Sequence, residues 1–321
     1  MCGIAGVIYR NSALYKNLGN DLLKLIQPLE SRGPDSCGVG LYGEQVAPNQ
    51  LKFIMLFEGD VQWEAVRNWL SQLADVVEVE SIGAGCCVTL QGDKEWSVEL
   101  GDLKAELAAR FPQIHLMSVG QLLEIYKEVG AAENLFQKYD LKSFNGSHGI
   151  GHTWMATESV VNTYYSHPFT SAPDLCIVHN GQISNYYKLR FALERQGVVF
   201  ETDNDSEVIA HYIHRQKTQG KTLEAALELL LKDIDGTYTF LVATSDKVGL
   251  VRDKFAAKPA VIYESAEMVA IASEYCCLLN LPGFDPTATI REPDAGEINV
   301  WSINSLQQSA VRGQLDALVY Y

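Results

Sequence analysis

The chain alternates short apolar runs with amphipathic stretches. Gly3-Ile4-Ala5-Gly6-Val7-Ile8 is apolar throughout and carries glycines, the pattern of a buried strand that another segment approaches closely. Leu18, Leu22, Leu25, Ile26 and Leu29 recur at helical spacing, which predicts a helix over 18–31 that Pro28 kinks or ends. Residues 32–38 have the composition of a turn, with a strand expected over 39–42. From 51 to 119 the pattern reads strand 51–57, helix 63–74, strands 76–81 and 85–90, helix 102–111 and strand 113–119. This βαββαβ succession is the ferredoxin-like signature, so 51–119 is expected to be an inserted subdomain. Beyond it, the spacing over 122–139 predicts a helix and then a polar linker. Residues 149–159 read as a strand entering a loop that His167-Pro168-Phe169 closes, and 174–178 as a strand stopping at His179-Asn180-Gly181. Helices are expected over 184–196, from an acidic loop at 200–207 through about 216, and over 222–232. Strands follow at 237–244, 247–253, 260–265, 268–274, 287–291 and 296–301. This order suits an α+β fold in which two antiparallel sheets stack between helix layers.

Composition narrows the partners more than the fold. A chain of 321 residues, 47% hydrophobic and 20% charged, can bury a sizeable core. Its net charge of −15, with no lysine or arginine cluster, argues against nucleic acid or an anionic membrane as partner. Neither a leader nor an apolar run of the ~18–20 residues needed to span a bilayer is visible, so a cytoplasmic protein is expected. The seven cysteines include two adjacent pairs and no Cys-x-x-Cys, which supports neither a zinc site nor an iron–sulfur cluster. In Cys86-Cys87, strand alternation would send one thiol to each face, a packing role.

The chemistry concentrates at the start. Removal of Met1 would leave Cys2 with a free α-amine beside its thiol. Such an amine has an unperturbed pKa of ~7.7–8.0, so it can accept the thiol proton during attack on a carbonyl and later return it to the leaving group. Taken alone, Cys2 reads better as an ordinary buried cysteine than as a nucleophile. Asn180-Gly181 offers an amide side chain beside an unhindered backbone N–H, the donor pair an oxyanion hole requires. Its alternative is a hairpin turn, but the following residues have helical periodicity and no matching return strand. The acidic run Glu201-Thr202-Asp203-Asn204-Asp205 can cap a helix and still leave a carboxylate for an ammonium group.

Together the segments MCGIAGV, SRGPDSCG, GHTWMAT, HPF, VHNGQISN and TDNDSEVIAH resemble, in order, the class II glutamine amidotransferases. These are N-terminal-nucleophile hydrolases with a four-layer αββα sandwich. EIYKEVG, RDKFAAKPAV and ASEYCCLL look closer still to the amidotransferase subunit of archaeal-type glutamate synthase and N-methylglutamate synthase. The resemblance is weakest over 44–118 and after 302. It implies that Cys2 attacks the side-chain amide of glutamine, that Asn180 and Gly181 stabilise the oxyanion, and that Asp205 holds the α-ammonium. It further implies that Arg32 orders the site and that Thr157 lies along the carboxylate end of the substrate. No cofactor is expected on this chain; flavin and an iron–sulfur cluster are expected only on a partner synthase subunit that receives the ammonia, within a hetero-oligomer.

Trp154 departs from the family pattern Gly-His-Thr-Arg, in which the arginine grips the substrate α-carboxylate. An indole offers one N–H and no charge. Three readings stay open: another cation, Arg32 or Arg190, reaches the carboxylate; the substrate is a related γ-glutamyl amide; or the chain is a catalytically impaired regulatory or scaffolding subunit that keeps the fold.

Overall fold

The computed structural model describes residues 2–92, 100–155, 163–303 and 309–311. Strand β1 (Gly3–Tyr9) leads through a 3₁₀ turn to helix α1 (Leu18–Ile26) and a second 3₁₀ turn, Gln27–Ser31. Pro28 lies in the first turn of that last segment, where its missing N–H ends the α-helical ladder. β2 (Ser36–Tyr42) and β3 (Gln50–Phe57) follow, then α2 (Trp63–Leu73), β4 (Asp75–Ile82), β5 (Gly85–Gln91), α3 (Leu100–Arg110) and β6 (Ile114–Gly120). The chain continues with β7 (Leu123–Val129), α4 (Ala132–Lys138), β8 (His148–Trp154), β9 (Phe169–Ala172) and β10 (Leu175–Ile183). Three helices, α5 (Tyr186–Glu194), α6 (Asp205–Thr218) and α7 (Leu223–Asp233), precede β11 (Gly236–Ala243), β12 (Lys247–Arg252), β13 (Val261–Glu264) and β14 (Met268–Ala272). α8 (Tyr275–Leu278), β15 (Thr289–Arg291), β16 (Ile298–Ser302) and β17 (Ser309–Val311) complete the described elements.

These strands make three antiparallel sheets. The first has the order β15-β13-β14-β1-β8-β2-β7, the second β17-β16-β12-β11-β10-β9, and the third β4-β5-β3-β6. β1 sits in the middle of the first sheet and is buried at every position, as its unbroken apolar run requires. One core joins α1 and both faces of the first sheet to the inner face of the second, with Val178, Leu241 and Leu250 clustered with Ile4 and Ile8, and Val39 on the α1 side with Ile26. Another packs the outer face of the second sheet against α5, α6 and α7 through Ile177, Phe240, Val242, Ile209, Ile213 and Leu227. The layers are therefore helix, sheet, sheet, helix. Polar ties cross between the sheets, among them Tyr42 Oη donating to the Ala243 carbonyl at 2.7 Å and His148 Nε2 meeting that of Thr244 at 2.7 Å.

The third sheet has its own core, where Leu51, Phe53 and Met55 pack on Val66, Trp69, Leu70, Leu103 and Leu107 of α2 and α3. Cys86 faces that core, whereas Cys87 faces the main core with Ile54 and Met117. Alternation along β5 separates the adjacent thiols as expected.

The helix expected over 122–139 is instead β7 followed by α4. β7 pairs with β2 from Ser36↔Val129 to Tyr42↔Leu123 and forms the edge of the first sheet. Tyr126 and Lys127 are both buried, so each face of the strand is covered and the polar alternation that marks a half-exposed strand is lost. Among the described residues no helix is long and apolar enough to cross a membrane.

Gly19 of α1 touches the 3₁₀ turn at Leu141–Ser143 so closely that a Cβ would lie 1.7 Å from the Leu141 carbonyl oxygen. Gly19→Ala is accordingly expected to destabilise the fold by about 1–3 kcal/mol or more. The readout is a lowered urea midpoint at unchanged m-value, and an unmoved midpoint would contradict this packing.

Candidate active site

Cys2 stands at the mouth of β1, partly buried and free of any disulfide. Its carbonyl accepts from Arg32 Nε at 3.3 Å, and Arg32 Nη1 pairs with Glu274 at 2.6 Å. The next residues are stapled: Ile4 N donates to Ser273 Oγ at 2.9 Å, and Ser273 N to the Ile4 carbonyl at 2.9 Å. Gly3 has no room for a side chain, since a Cβ would sit 2.8 Å from Leu29 Cβ and 2.9 Å from Thr153 Oγ1. Burial pushes the Cys2 thiol pKa up, opposed by a hydrogen bond from the Met155 backbone and by the charge of Lys258, and reinforced by Asp205. The sulfur therefore rests as a thiol at neutral pH, so its attack must be coupled to proton removal.

The turn at 32–38 serves β8. Asp35 N donates to the Trp154 carbonyl at 3.0 Å, Ser36 pairs opposite Trp154, and a Cβ on Gly33 would strike the Thr153 carbonyl at 2.7 Å. Trp154 is only 7% exposed and fixed at the end of its strand. Thr157 and Met1 lie outside the described residues.

Asn180 and Gly181 lie inside β10, which continues through to Ile183 rather than stopping at the Asn-Gly step. Gly181 has φ +144°, and a Cβ there would sit 2.1 Å from the Thr237 carbonyl oxygen, so only glycine fits. Asn180 is 2% exposed, and among the described residues its Nδ2 has no hydrogen-bond partner. A buried amide donor without a partner is rare and costly, and it marks a place where a donor is held ready for something else.

This corner is tied to the start of β1 through β8. His152 pairs opposite Ile4, and its Nε2 meets the His179 carbonyl at 3.0 Å. Behind Asn180, Ser206 Oγ lies 2.8 Å from both His167 Nε2 and His179 Nδ1 and 3.3 Å from Asp205 Oδ1. Both rings can donate to the two lone pairs of the hydroxyl while its proton goes to the carboxylate. That assignment leaves His167 Nδ1 and His179 Nε2, which have no partner among the described residues, as bare acceptors rather than stranded N–H groups. Asp205 opens α6, and its Oδ2 accepts from Ile183 N at 2.8 Å, two residues past Gly181. Asn204 caps the same helix by accepting from Ser206 N at 2.9 Å.

Arg190 is committed elsewhere. Its guanidinium binds Tyr186 Oη, the Thr202 carbonyl and Glu194, and lies 4.5 Å from the Phe200 ring. It braces the loop before α6 and does not reach toward Cys2. Sequence reasoning missed Glu274, the acid that aligns Arg32, and the Ser206 hub. Neither belongs to a pattern that spacing alone marks as chemical.

The sequence from 159 to 280 matches the glutamine amidotransferase domain. The glutamine amidotransferase-like protein GlxB of Rhizobium meliloti is 39% identical over 301 residues, which cover 94% of this chain and 98% of that protein. The chain belongs to the glutamine amidotransferase family. A putative glutamine amidotransferase of Methanothermobacter thermautotrophicus is 33% identical to this amidotransferase over 319 residues, 94% of this chain and 100% of that one. Among solved structures, glutamine phosphoribosylpyrophosphate amidotransferase from B. subtilis superposes with a TM-score of 0.62 at 20% identity. The match spans 96% of this chain and 49% of that one, and it shows a shared α+β fold of stacked antiparallel sheets.

The buried rings of the amidotransferase set its acid limit. Burial lowers His148 to about 4 and His152 to about 3, whereas an unfolded chain binds those protons near ~6.5. Between those values the unfolded state binds more protons, so stability falls as pH falls. The urea midpoint is expected to drop steadily from pH 6.5 to 4, and a flat midpoint across that range would contradict neutral buried imidazoles.

Proposed function

We propose that this amidotransferase hydrolyses the side-chain amide of glutamine with Cys2 as an N-terminal nucleophile after Met1 is removed. We propose further that it passes the ammonia to a separate glutamate synthase-type subunit. The observation that carries the reading is Asn180: a buried side-chain amide with no partner for its Nδ2 among the described residues, on the strand tied to β1 through His152 and His179. Cys2 Sγ bonds to the amide carbon while its proton moves to the liberated α-amine. Asn180 Nδ2 and the Gly181 N–H hold the developing oxyanion, and the amine returns the proton to the departing nitrogen as the C–N bond breaks. Water then adds to the γ-glutamyl thioester, and glutamate leaves as the thiol re-forms. Arg32, held by Glu274, fixes the Cys2 carbonyl and so orients the nucleophile. Asp205 takes the α-ammonium. In the same reading, Thr157 lines the carboxylate end and 51–119 is a subdomain inserted into an amidotransferase domain that spans 1–321.

The synthase partner is supported by the likeness of EIYKEVG, RDKFAAKPAV and ASEYCCLL to stand-alone synthase amidotransferase subunits. A second reading, a regulatory subunit with impaired catalysis, is favoured by Trp154 alone. Ammonia release from L-glutamine, with and without such a synthase, separates the two. The account expects an intact mass lacking Met1, turnover abolished by Cys2→Ala, and kcat lowered about 10²–10³-fold by Asn180→Ala. Retained Met1, or ammonia release that survives Cys2→Ala, would overturn it.

A further inference from the structure

The reading above, on which this inference rests, leaves the substrate α-carboxylate without a cation. A desolvated carboxylate facing Trp154 alone would be expensive to bind. Arg32 is spent on Glu274 and the Cys2 carbonyl, and Arg190 on Glu194, Tyr186 and Thr202. The Arg252 guanidinium is buried among the carbonyls of Pro293, Ala256 and Lys258.

Lys258 differs from all three. Its carbonyl accepts from Thr239 Oγ1 at 2.9 Å and from Arg252 Nε at 3.2 Å. Thr239 is the residue directly opposite Asn180 in the β10–β11 ladder, so the backbone of Lys258 is pinned one strand away from the Asn-Gly corner. The approach to it is rigid. The Asp253 carboxylate accepts from the backbone N–H of Phe255 at 2.7 Å, Ala257 at 3.1 Å and Tyr238 at 3.0 Å, and Ala256 is held at φ +51°. The side chain is half-buried, and among the described residues its ammonium has no ion pair or hydrogen bond. Its charge acts on both the Cys2 thiol and the His179 ring, and so does the charge of Asp205. Two opposite charges thus converge on one sulfur without pairing with each other. A free amino acid, with its ammonium and carboxylate on the same carbon, complements that arrangement.

We propose that Lys258 supplies the cation for the α-carboxylate of the amide substrate, in place of the arginine that the family motif carries at the position of Trp154, while Asp205 takes the α-ammonium. A lysine on a flexible four-carbon stem grips a carboxylate as a point charge rather than as a fork. The site is consequently specific for an unblocked α-amino acid amide and weaker in its geometric discrimination than an arginine clamp.

Calorimetric titration of L-glutamine into the Cys2→Ala protein tests binding without turnover. Adding Lys258→Met is expected to weaken binding roughly 30- to several-thousand-fold, whereas Lys258→Arg retains it within about tenfold. On the Cys2 enzyme, Lys258→Met should lower kcat/KM for L-glutamine by the same factor. It should lower kcat/KM much less for 4-aminobutanamide, which is glutamine without its α-carboxylate, because that amide feels only the lost charge near the Cys2 thiol. Equal losses on both amides, unchanged glutamine affinity in Lys258→Met, or no glutamine binding by the Cys2→Ala protein would each overturn the assignment. If the affinity falls as expected but the Cys2 enzyme releases no ammonia, the carboxylate site stands and the hydrolytic reading fails.

Discussion

The two sheets can build one site because buried hydrogen bonds between them hold them in register, and one of these lies at the level of Asn180. His152 projects from β8, the neighbour of β1, and its Nε2 meets the carbonyl of His179 on β10 at 3.0 Å. β10 belongs to the other sheet and carries Asn180 as its next residue. A slip of one residue in either strand would invert every side chain and separate the sulfur from the amide donor. The apolar core alone does not specify that register. Apolar packing between stacked sheets is tolerant of small shifts, whereas a buried carbonyl and a buried imidazole lose a costly interaction when parted.

Burial around this bond also explains why the site is polar yet largely uncharged. His167 and His179 share Ser206 as hub, and desolvation lowers both rings, as it does His152. Neutral rings leave the field at Cys2 to a few full charges, those of Asp205 and Lys258 among them. The proposed binding of a zwitterion and stabilisation of a transient oxyanion gain from that economy, because competing local charges would screen or misplace either interaction. The loop before α6 links the site to the 51–119 segment as well: Lys104 of α3 pairs with Glu201 at 2.7 Å, and Glu207 holds the backbone of Glu201 and Thr202.

Much of this was legible in the sequence, and the reasons for the exceptions are physical. The unbroken apolar run of β1, the helix ended by Pro28 and the antiparallel series after 236 carry local signals strong enough to survive tertiary context. β7 did not, because Leu122, Ile125, Tyr126 and Val129 stand at spacings that also fit a helix, and burial of the neighbours Tyr126 and Lys127 removes the alternation of a half-exposed strand. The Asn-Gly step lay where expected but within a strand, since Gly181 reaches φ +144° without a turn. Trp154 announced a missing cation without saying what replaces it. Lys258 follows Asn180 by 78 residues and comes beside it only through the Thr239 hydrogen bond, a relation no local pattern records.

The central claim is that a liberated Cys2 sulfur and Asn180 Nδ2 act on the same carbonyl. A glutamine analogue bearing an electrophilic ketone in place of the amide, soaked into crystals of the full chain, tests it most directly. The account predicts a covalent bond to Cys2 Sγ, no electron density for Met1, and the ketone-derived oxygen within ~3 Å of both Asn180 Nδ2 and Gly181 N. An adduct on any other cysteine, or an oxygen pointing away from the Asn-Gly corner, would contradict it.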